Sequence, residues 1–255
     1  MDDPKTDPTV LRMRSLVDQW SGTVKGEHGF PRQPEDHRVI FLHCYLMMTL
    51  NMLAAIEREE FQDPAWVDRL LHIFSRYYFT ALDAFDQDPT AASPVWQLAF
   101  EAARHKGTLA LQHLLLGVNA HINFDLIMAL EEILEPEWAS LTEAQRTMRY
   151  NDHCHVNRVI SSTVDAVEKE VIDPEMPVMR VVDAIVGHAL EDAMVSDLLG
   201  FWREIVWHHA THLLETRHAS PDWREEREKL VRHYEKEVLE IGEVIQLRGF
   251  KPQRE

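Results

Sequence analysis

Apolar residues recur along most of this chain at the three- and four-residue spacing of amphipathic helices. Only nine glycines and few alternating apolar runs argue against sheets. Capping residues and prolines predict helices that begin near residues 36, 63, 93, 108, 142, 178, 192 and 221. We therefore expect an all-α fold. It would be a single-domain bundle of about seven to eight helices over residues 37–250, preceded by a proline-containing N-terminal arm at residues 1–36.

The stretch at residues 108–134 is apolar on nearly every side, which predicts a buried central helix around which the others pack. It nevertheless contains six polar residues, namely Gln112, His113, Asn119, His121, Asn123 and Asp125. A buried polar group is costly unless it has a partner. Each of these side chains must therefore bond to another part of the protein or to a ligand.

The polar residues of the central helix form two stripes. At about 100° per residue, His121 and Asp125 fall within roughly 40° of each other, with Gly117 one turn earlier. The opposite stripe holds Gln112, Asn119 and Asn123. An imidazole beside a carboxylate suits either a divalent metal or a base with its orienting acid. Polar residues that bond neighbouring helices and fix their register would give the same pattern.

Three other predicted helices carry polar residues on sides that face the core. These residues are His43 and Tyr45 in the first long helix, Asp152 and His153 in the helix from residue 142, and Arg203 in the helix from residue 192, where Trp207 lies at the boundary of the buried side. An inward arginine needs an acid or an anionic ligand. Asp125 and Asp152 are the natural acids for Arg203. Further along, His208, His212 and Glu215 share a face at metal-binding spacing, but that face is opposite the apolar side of its helix, which predicts a solvent-facing cluster.

Composition narrows the classes of partner. The apolar fraction of 45% is ample for a core, and the formal charge of -17 argues against nucleic acid or an anionic membrane surface as a partner. We expect no membrane span, since no apolar run appears long enough and free of charge. The acidic N-terminus is unlike a signal peptide. A cytoplasmic protein is expected, and whether it forms a homo-oligomer stays open.

One segment of the central helix resembles a known family. The sequence NAHINFDL (Asn119 to Leu126), the preceding LLLG and the upstream DPAWV and RYYFTAL resemble domain-of-unknown-function family 5995. The resemblance runs from about Phe61 to Asn157 and continues more faintly through Arg203 and Trp207. It implies no known activity. Its signature falls on residues that the helical pattern places inward, namely His121, Asn123, Asp125, Asp152 and Arg203.

A weaker resemblance links HxxxD at His121 and Asp125 to the all-α zinc phospholipase C and nuclease superfamily, in which that motif supplies metal ligands. The superfamily also uses a processed N-terminal tryptophan, which this chain lacks, and a later HxxxE. Here the later HxxxE, His233 with Glu237, lies away from the core side of its helix. The resemblance therefore implies one metal or none, rather than three zinc ions.

The first hypothesis is an enzyme that acts on a small molecule in an enclosed pocket, most simply by hydrolysis assisted by one divalent metal such as zinc, iron or manganese. His121, Asp125, His43 and His153 are the candidate metal ligands. His121, Asp125, Asp152 and Arg203 are the candidate catalytic residues, with Arg203 anchoring a carboxylate or phosphate. Asn119, Asn123, Tyr45 and Trp207 are the candidate substrate contacts. The alternatives are a metal-independent lyase or cyclase of natural-product type that uses a His/Asp pair, and a non-catalytic binding or scaffold protein.

Overall fold

A computed structural model of the protein describes residues 4–21, 36–105, 107–170, 192–219 and 221–247. The α-helices are α1 (Pro8–Ser21), α2 (Arg38–Glu57), α3 (Pro64–Gln87), α4 (Pro94–Arg104), α5 (Ala110–Ala120), α6 (Leu126–Leu134), α7 (Glu143–Glu170), α8 (Asp192–Ala219) and α9 (Trp223–Leu247). A π turn at His121–Asp125 joins α5 to α6, so that they form one continuous central helix. No strand occurs in these described ranges, and the predicted all-α bundle is confirmed. The helix expected near residues 178–190 lies outside the described residues.

Local sequence signals set several helix boundaries. Asp63 accepts a hydrogen bond from the backbone N–H of Trp66, and Pro64 occupies the first turn of α3. At the start of α7, the backbone N–H of Thr142 donates to Gln145 Oε1 at 2.9 Å, and the backbone N–H of Gln145 donates to Thr142 Oγ1 at 3.3 Å. This reciprocal pair is a capping box. Both helices therefore begin where the sequence predicted.

The central helix lies in the middle of the bundle. Its first half, α5, packs against α2, α4 and α9, and its second half, α6, packs against α3 and α8. Leu126, Ile127 and Leu130 are almost completely buried. The six polar residues of its 112–125 segment are consequently buried between helices, whereas Glu132 near its end is exposed.

The N-terminal arm contributes a helix to the core. Val10 and Met13 of α1 are fully buried, and α1 packs against α2. Asp7 directly precedes α1. Its Oδ2 bonds to His72 Nε2 at 2.9 Å, which ties the start of α1 to α3.

Two helices are longer and more apolar than the sequence reasoning allowed. Arg38–Glu57 and Gln112–Leu134 are each long and apolar enough to cross a membrane by length and composition alone. The expectation that no run has this property was wrong, since the hydrophobic part of α2 carries no charged residue. Most of each helix is buried inside the bundle, 67% and 72% of the respective apolar windows. Buried core helices of this length have the same composition.

Candidate functional site

The centre of the candidate site is a π turn in the middle of the molecule. It spans His121–Asp125, the HINFD segment, and at its end the backbone N–H of Leu126 donates to the carbonyl of His121 five residues earlier. π turns are rare and occur frequently at functional sites. The regular α-helical pattern is thus interrupted where the sequence places an imidazole beside a carboxylate.

His121 and Asp125 form a hydrogen-bonded pair that is fixed by a tryptophan. His121 Nδ1 lies 3.0 Å from Asp125 Oδ2. Trp96 Nε1, from α4, donates to both carboxylate oxygens, at 3.1 Å to Oδ1 and 3.0 Å to Oδ2. His121 and Asp125 are each only 3% exposed. The indole therefore orients the carboxylate, and the carboxylate orients the imidazole.

Five aromatic residues surround the imidazole, and we call them the aromatic box: Phe41, Tyr45, Phe74, Tyr78 and Trp96. Phe74 stacks on His121 with ring centroids 3.6 Å apart and planes 8° apart. Tyr45 packs edge-on against His121, with ring centroids 4.4 Å apart. The Tyr45 hydroxyl is 2.8 Å from Ser75 Oγ and has a polar partner of its own. The surroundings of His121 are thus almost entirely apolar.

The lack of a side chain at Gly117 lets Phe41, one wall of the aromatic box, pack close to the central helix. A Cβ at this position would lie 2.5 Å from Phe41 Cγ, which is closer than side chains tolerate. The missing side chain leaves room for the ring of Phe41, which lies against His121.

The second ring nitrogen of His121, Nε2, is buried and has no hydrogen-bond partner among the residues that the structure describes. Leaving a buried polar atom without a partner costs about 1–3 kcal/mol. Such atoms are rare in native proteins and call for an explanation, of which a ligand or a catalytic role is one.

Burial disfavours charge on both members of the pair. It lowers the pKa of His121 and raises the pKa of Asp125, while the hydrogen bond between them works against both shifts. The bond from Trp96 also works to lower the pKa of Asp125. Because one indole N–H faces both oxygens, the geometry suits an ionised carboxylate. His121 then carries its hydrogen on Nδ1 and presents a lone pair at Nε2.

The opposite polar stripe of the central helix bonds to the last helix. Asn123 Nδ2 donates to Asn119 Oδ1 at 2.9 Å, and Asn119 Nδ2 donates to the carbonyl of Val238 at 2.8 Å. Gln112 Nε2 donates to the carbonyls of Ile245 and Gln246. Of the two residues suggested as substrate contacts, Asn119 therefore has a partner in α9 and Asn123 has its partner, Asn119, within the central helix. Of the interpretations of the sequence, the one in which polar residues bond neighbouring helices and fix their register describes this stripe.

Asp152 fixes a loop. Its Oδ1 accepts the backbone N–H of Gln62 at 2.7 Å, and its Oδ2 accepts the backbone N–H of Asp63 at 2.8 Å. Both oxygens are thus engaged just before α3. Within the described ranges, no hydrogen bond or ion pair joins Asp152 to His121 or Asp125. The structure does not bring the expected catalytic acid to the imidazole.

Arg203 belongs to a separate network between α7 and α8. Its Nε donates to Asn157 Oδ1 at 2.7 Å and its Nη2 donates to the carbonyl of His153 at 2.8 Å. Trp207 lies beside His153, with ring centroids 5.1 Å apart. The expectation that Arg203 pairs with Asp125 or Asp152 was wrong, because both acids bond elsewhere. Burial lowers the pKa of Arg203 to about 10, which leaves it charged at neutral pH.

The four candidate metal ligands do not form one donor set. His121 uses Nδ1 for Asp125, and His153 Nε2 donates to the carbonyl of Arg203 at 3.0 Å. His43 is buried on α2, and its Nδ1 has no partner within the described part of the chain. Over the same part, no group of three or more His, Cys, Asp or Glu side chains is placed to hold a metal ion. Within the pair of His121 and Asp125, His121 Nε2 is the one ligand atom without a hydrogen-bond partner among the described residues.

The histidine cluster of α8 is at the surface. The side chain of His208 is 72% exposed and lies 3.2 Å from Glu204. His212 Nδ1 bonds to the Tyr234 hydroxyl at 2.8 Å. These side chains pair with neighbours individually.

Sequence reasoning did not include Trp96 and Phe74 among the functional residues. Phe74 looked like one more apolar residue on the core side of α3, and Trp96 lies in the first turn of a short amphipathic helix. One signal was available: a buried tryptophan usually finds an acceptor for its N–H, and Asp125 was a predicted buried acceptor.

A comparison with protein families matches residues 6–247 to a family described as "Family of unknown function (DUF5995)". The match spans nearly all of the described residues, well beyond the segment that carried the resemblance. Neither the curated proteins nor the solved structures contain a match.

Proposed function

The chain belongs to a family of unknown function, and from the geometry of its core we propose that it is an enzyme that transfers a proton to or from a small, largely apolar molecule. His121 is the acid–base group. The observation that carries this proposal is the buried Nε2 atom without a partner, on an imidazole whose other nitrogen is held by Asp125.

Each neighbour of His121 has a role in this reaction. Asp125 holds the imidazole in one orientation and stabilises the imidazolium that forms when Nε2 takes a proton. Trp96 holds Asp125. The aromatic box excludes water and lowers the local dielectric constant, so that the pair acts more strongly on a bound molecule than it would in water. Apolar walls around one acid–base group favour the lyase or cyclase alternative over hydrolysis of a charged substrate.

Access to His121 needs a movement of one wall. Phe74 stacks directly on the imidazole but is only half-buried. A rotation of this ring away from His121 would open a space on the face of the imidazole. We propose that the substrate enters there and comes to rest at the edge of the imidazole, because the Nε2 lone pair that takes the proton lies in the plane of the ring.

Metal-assisted hydrolysis has less support. A carboxylate behind a histidine is a common arrangement around metal ions, so His121 Nε2 has the chemistry of a ligand. A metal site needs at least two further protein donors, and His43 and His153 do not join His121 in the described part of the protein. Proton transfer needs only His121 and Asp125, which are already hydrogen-bonded to each other.

Uptake of deuterium tests the proposal without knowledge of the natural substrate. The protein is incubated in D2O with a panel of small apolar ketones and alkenes, and mass spectrometry measures deuterium in each compound. We expect uptake with the wild type, loss of about 100-fold or more in His121→Gln, and a smaller loss in Asp125→Asn. His209→Gln is the matched control, because His209 is a half-buried, ring-stacked histidine in another part of the molecule.

The panel also separates the proton-transfer and metal versions. Under the proposal, excess chelator leaves the rate unchanged. Activity that disappears in chelator and returns with zinc would instead support metal-assisted chemistry. Uptake that is equal in wild type and His121→Gln would refute the role of His121.

A further inference from the structure

Arg203 is a buried cation without a described counter-ion. The residue is 4% exposed, and no carboxylate among the described residues lies within ion-pair distance of it. Arg149, the other buried arginine on these two helices, is different: its guanidinium lies 2.6 Å from Asp63 Oδ2 and 2.9 Å from Glu137 Oε1. A buried charge that lacks a counter-ion is strongly unfavourable, so Arg203 is the exception that needs explanation.

The groups around Arg203 are neutral. His153 Nε2 faces the carbonyl of Arg203 at 3.0 Å, so this nitrogen must donate. Nδ1 is then the acceptor, and it faces Arg203 Nη2 at 3.3 Å. Burial and the charge of Arg203 lower the pKa of His153 well below its ordinary value. The histidine therefore neither adds to nor cancels the charge of Arg203.

Asn157 is oriented so that it offers only donors on its free side. Its Oδ1 accepts from Arg203 Nε at 2.7 Å, which sends Nδ2 the other way. Asn157 Nδ2 donates to no acceptor among the described residues. Beside it is Gly200, where an added Cβ would lie 3.8 Å from this nitrogen and within 4 Å of no other described atom outside its own helix backbone. Space for a small group thus adjoins an amide donor, next to a guanidinium.

We propose that Arg203, Asn157 and Gly200 form a binding site for an oxyanion, namely the carboxylate or phosphate group of a small molecule, between α7 and α8. The guanidinium supplies the charge, Asn157 Nδ2 supplies a second donor, and Gly200 supplies room. Charge-assisted bonds of this kind are the usual means by which arginine holds carboxylate and phosphate. The site is independent of His121 and of the proposed proton transfer.

Anion-dependent thermal unfolding tests the proposal. The full chain is heated in sodium phosphate, sodium acetate or sodium chloride at matched ionic strength. Occupation of the site at about ten times its dissociation constant raises the melting temperature by roughly 3 °C. We expect that rise in phosphate or acetate over chloride for the wild type, and which of the two acts identifies the kind of anion.

Three variants separate the site from general salt effects. Arg203→Met should abolish the anion-dependent rise, and Gly200→Leu should do so by filling the space while leaving the arginine in place. Arg149→Met, which removes a buried arginine that has its own carboxylates, should lower the melting temperature but keep the rise. If Arg203→Met does not fold, Asn157→Leu and Gly200→Leu still give the answer.

Two results would overturn the proposal. One is the same rise in wild type and Gly200→Leu, which would place the effect elsewhere. The other is no difference between phosphate, acetate and chloride in the wild type, which would mean that Arg203 is neutralised from within the chain.

Discussion

Trp96 determines which way the carboxylate of Asp125 faces, because its single N–H lies across both oxygens. The carboxylate in turn determines which nitrogen of His121 is left free. Three residues from two helices therefore act as one unit, and each depends on the next for its orientation. The proposed chemistry at Nε2 rests on an indole that never touches the reacting atom.

Replacing Trp96 by phenylalanine tests this dependence. The new ring can still stack on Phe100, which lies 4.8 Å from the indole, but it has no N–H to give to Asp125. We expect the free energy of unfolding, measured by urea denaturation, to fall by about 2–4 kcal/mol from the lost charge-assisted bond and the lost volume. His121-dependent deuterium uptake should fall with it.

Trp66→Phe is the matched control. Trp66 is also fully buried, but its Nε1 has no hydrogen-bond partner among the described residues. Its replacement removes volume but no hydrogen bond to a described residue, and a phenylalanine ring can still lie beside Arg149. If both variants lose the same stability, the bond from Trp96 to Asp125 contributes nothing measurable, and the orienting role of the indole is refuted.

At the scale of elements, a buried acid on α7 holds the segment that leads into α3. Asp152 receives two adjacent backbone N–H groups, those of Gln62 and Asp63. Asp63 in turn caps α3 and pairs with Arg149. Asp152 thereby fixes the start of the helix that carries Phe74 and Tyr78, two walls of the aromatic box.

Asp152→Ala should consequently destabilise the fold without removing the chemistry. We expect the free energy of unfolding to fall by about 3 kcal/mol, since two bonds to a buried carboxylate are lost. Deuterium uptake per folded molecule should stay within a few-fold of the wild type. The exposed neighbour Asn151→Ala, by contrast, should change neither quantity.

The interpretation of Asp152 as a catalytic acid makes the opposite prediction. Under it, Asp152→Ala would lose uptake by orders of magnitude while its stability changed little. Denaturation and uptake measured on the same preparation distinguish the two.

At the scale of the whole molecule, the sequence predicted most of what depends on local pattern. The caps at Asp63 and Thr142 are short-range signals, and the helices begin where these signals place them. The inward direction of His121, Asp125 and Arg203 also followed from helical spacing. The spacing of residues within one helix gives no information about their distance from another helix. For that reason the partners of Arg203 were predicted wrongly.

The π turn and the aromatic box were beyond single-helix reasoning for a related reason. The π turn packs against α3, α8 and α9, and the box depends on which faces of α2, α3 and α4 meet around the central helix. The two polar stripes illustrate the point, since both looked equally suited to packing or to chemistry. One bonds to α9, whereas the other ends at an atom without a described partner.

The most direct test of the central claim is the hydrogen-bonding state of His121, measured by nitrogen NMR of protein labelled with ¹⁵N-histidine at about pH 8. The His121→Phe variant assigns the signal. The account predicts a neutral imidazole with its hydrogen on Nδ1, toward Asp125, and a lone pair on Nε2. A hydrogen on Nε2 would contradict it, because His121 could not then serve as a base toward a molecule in the aromatic box.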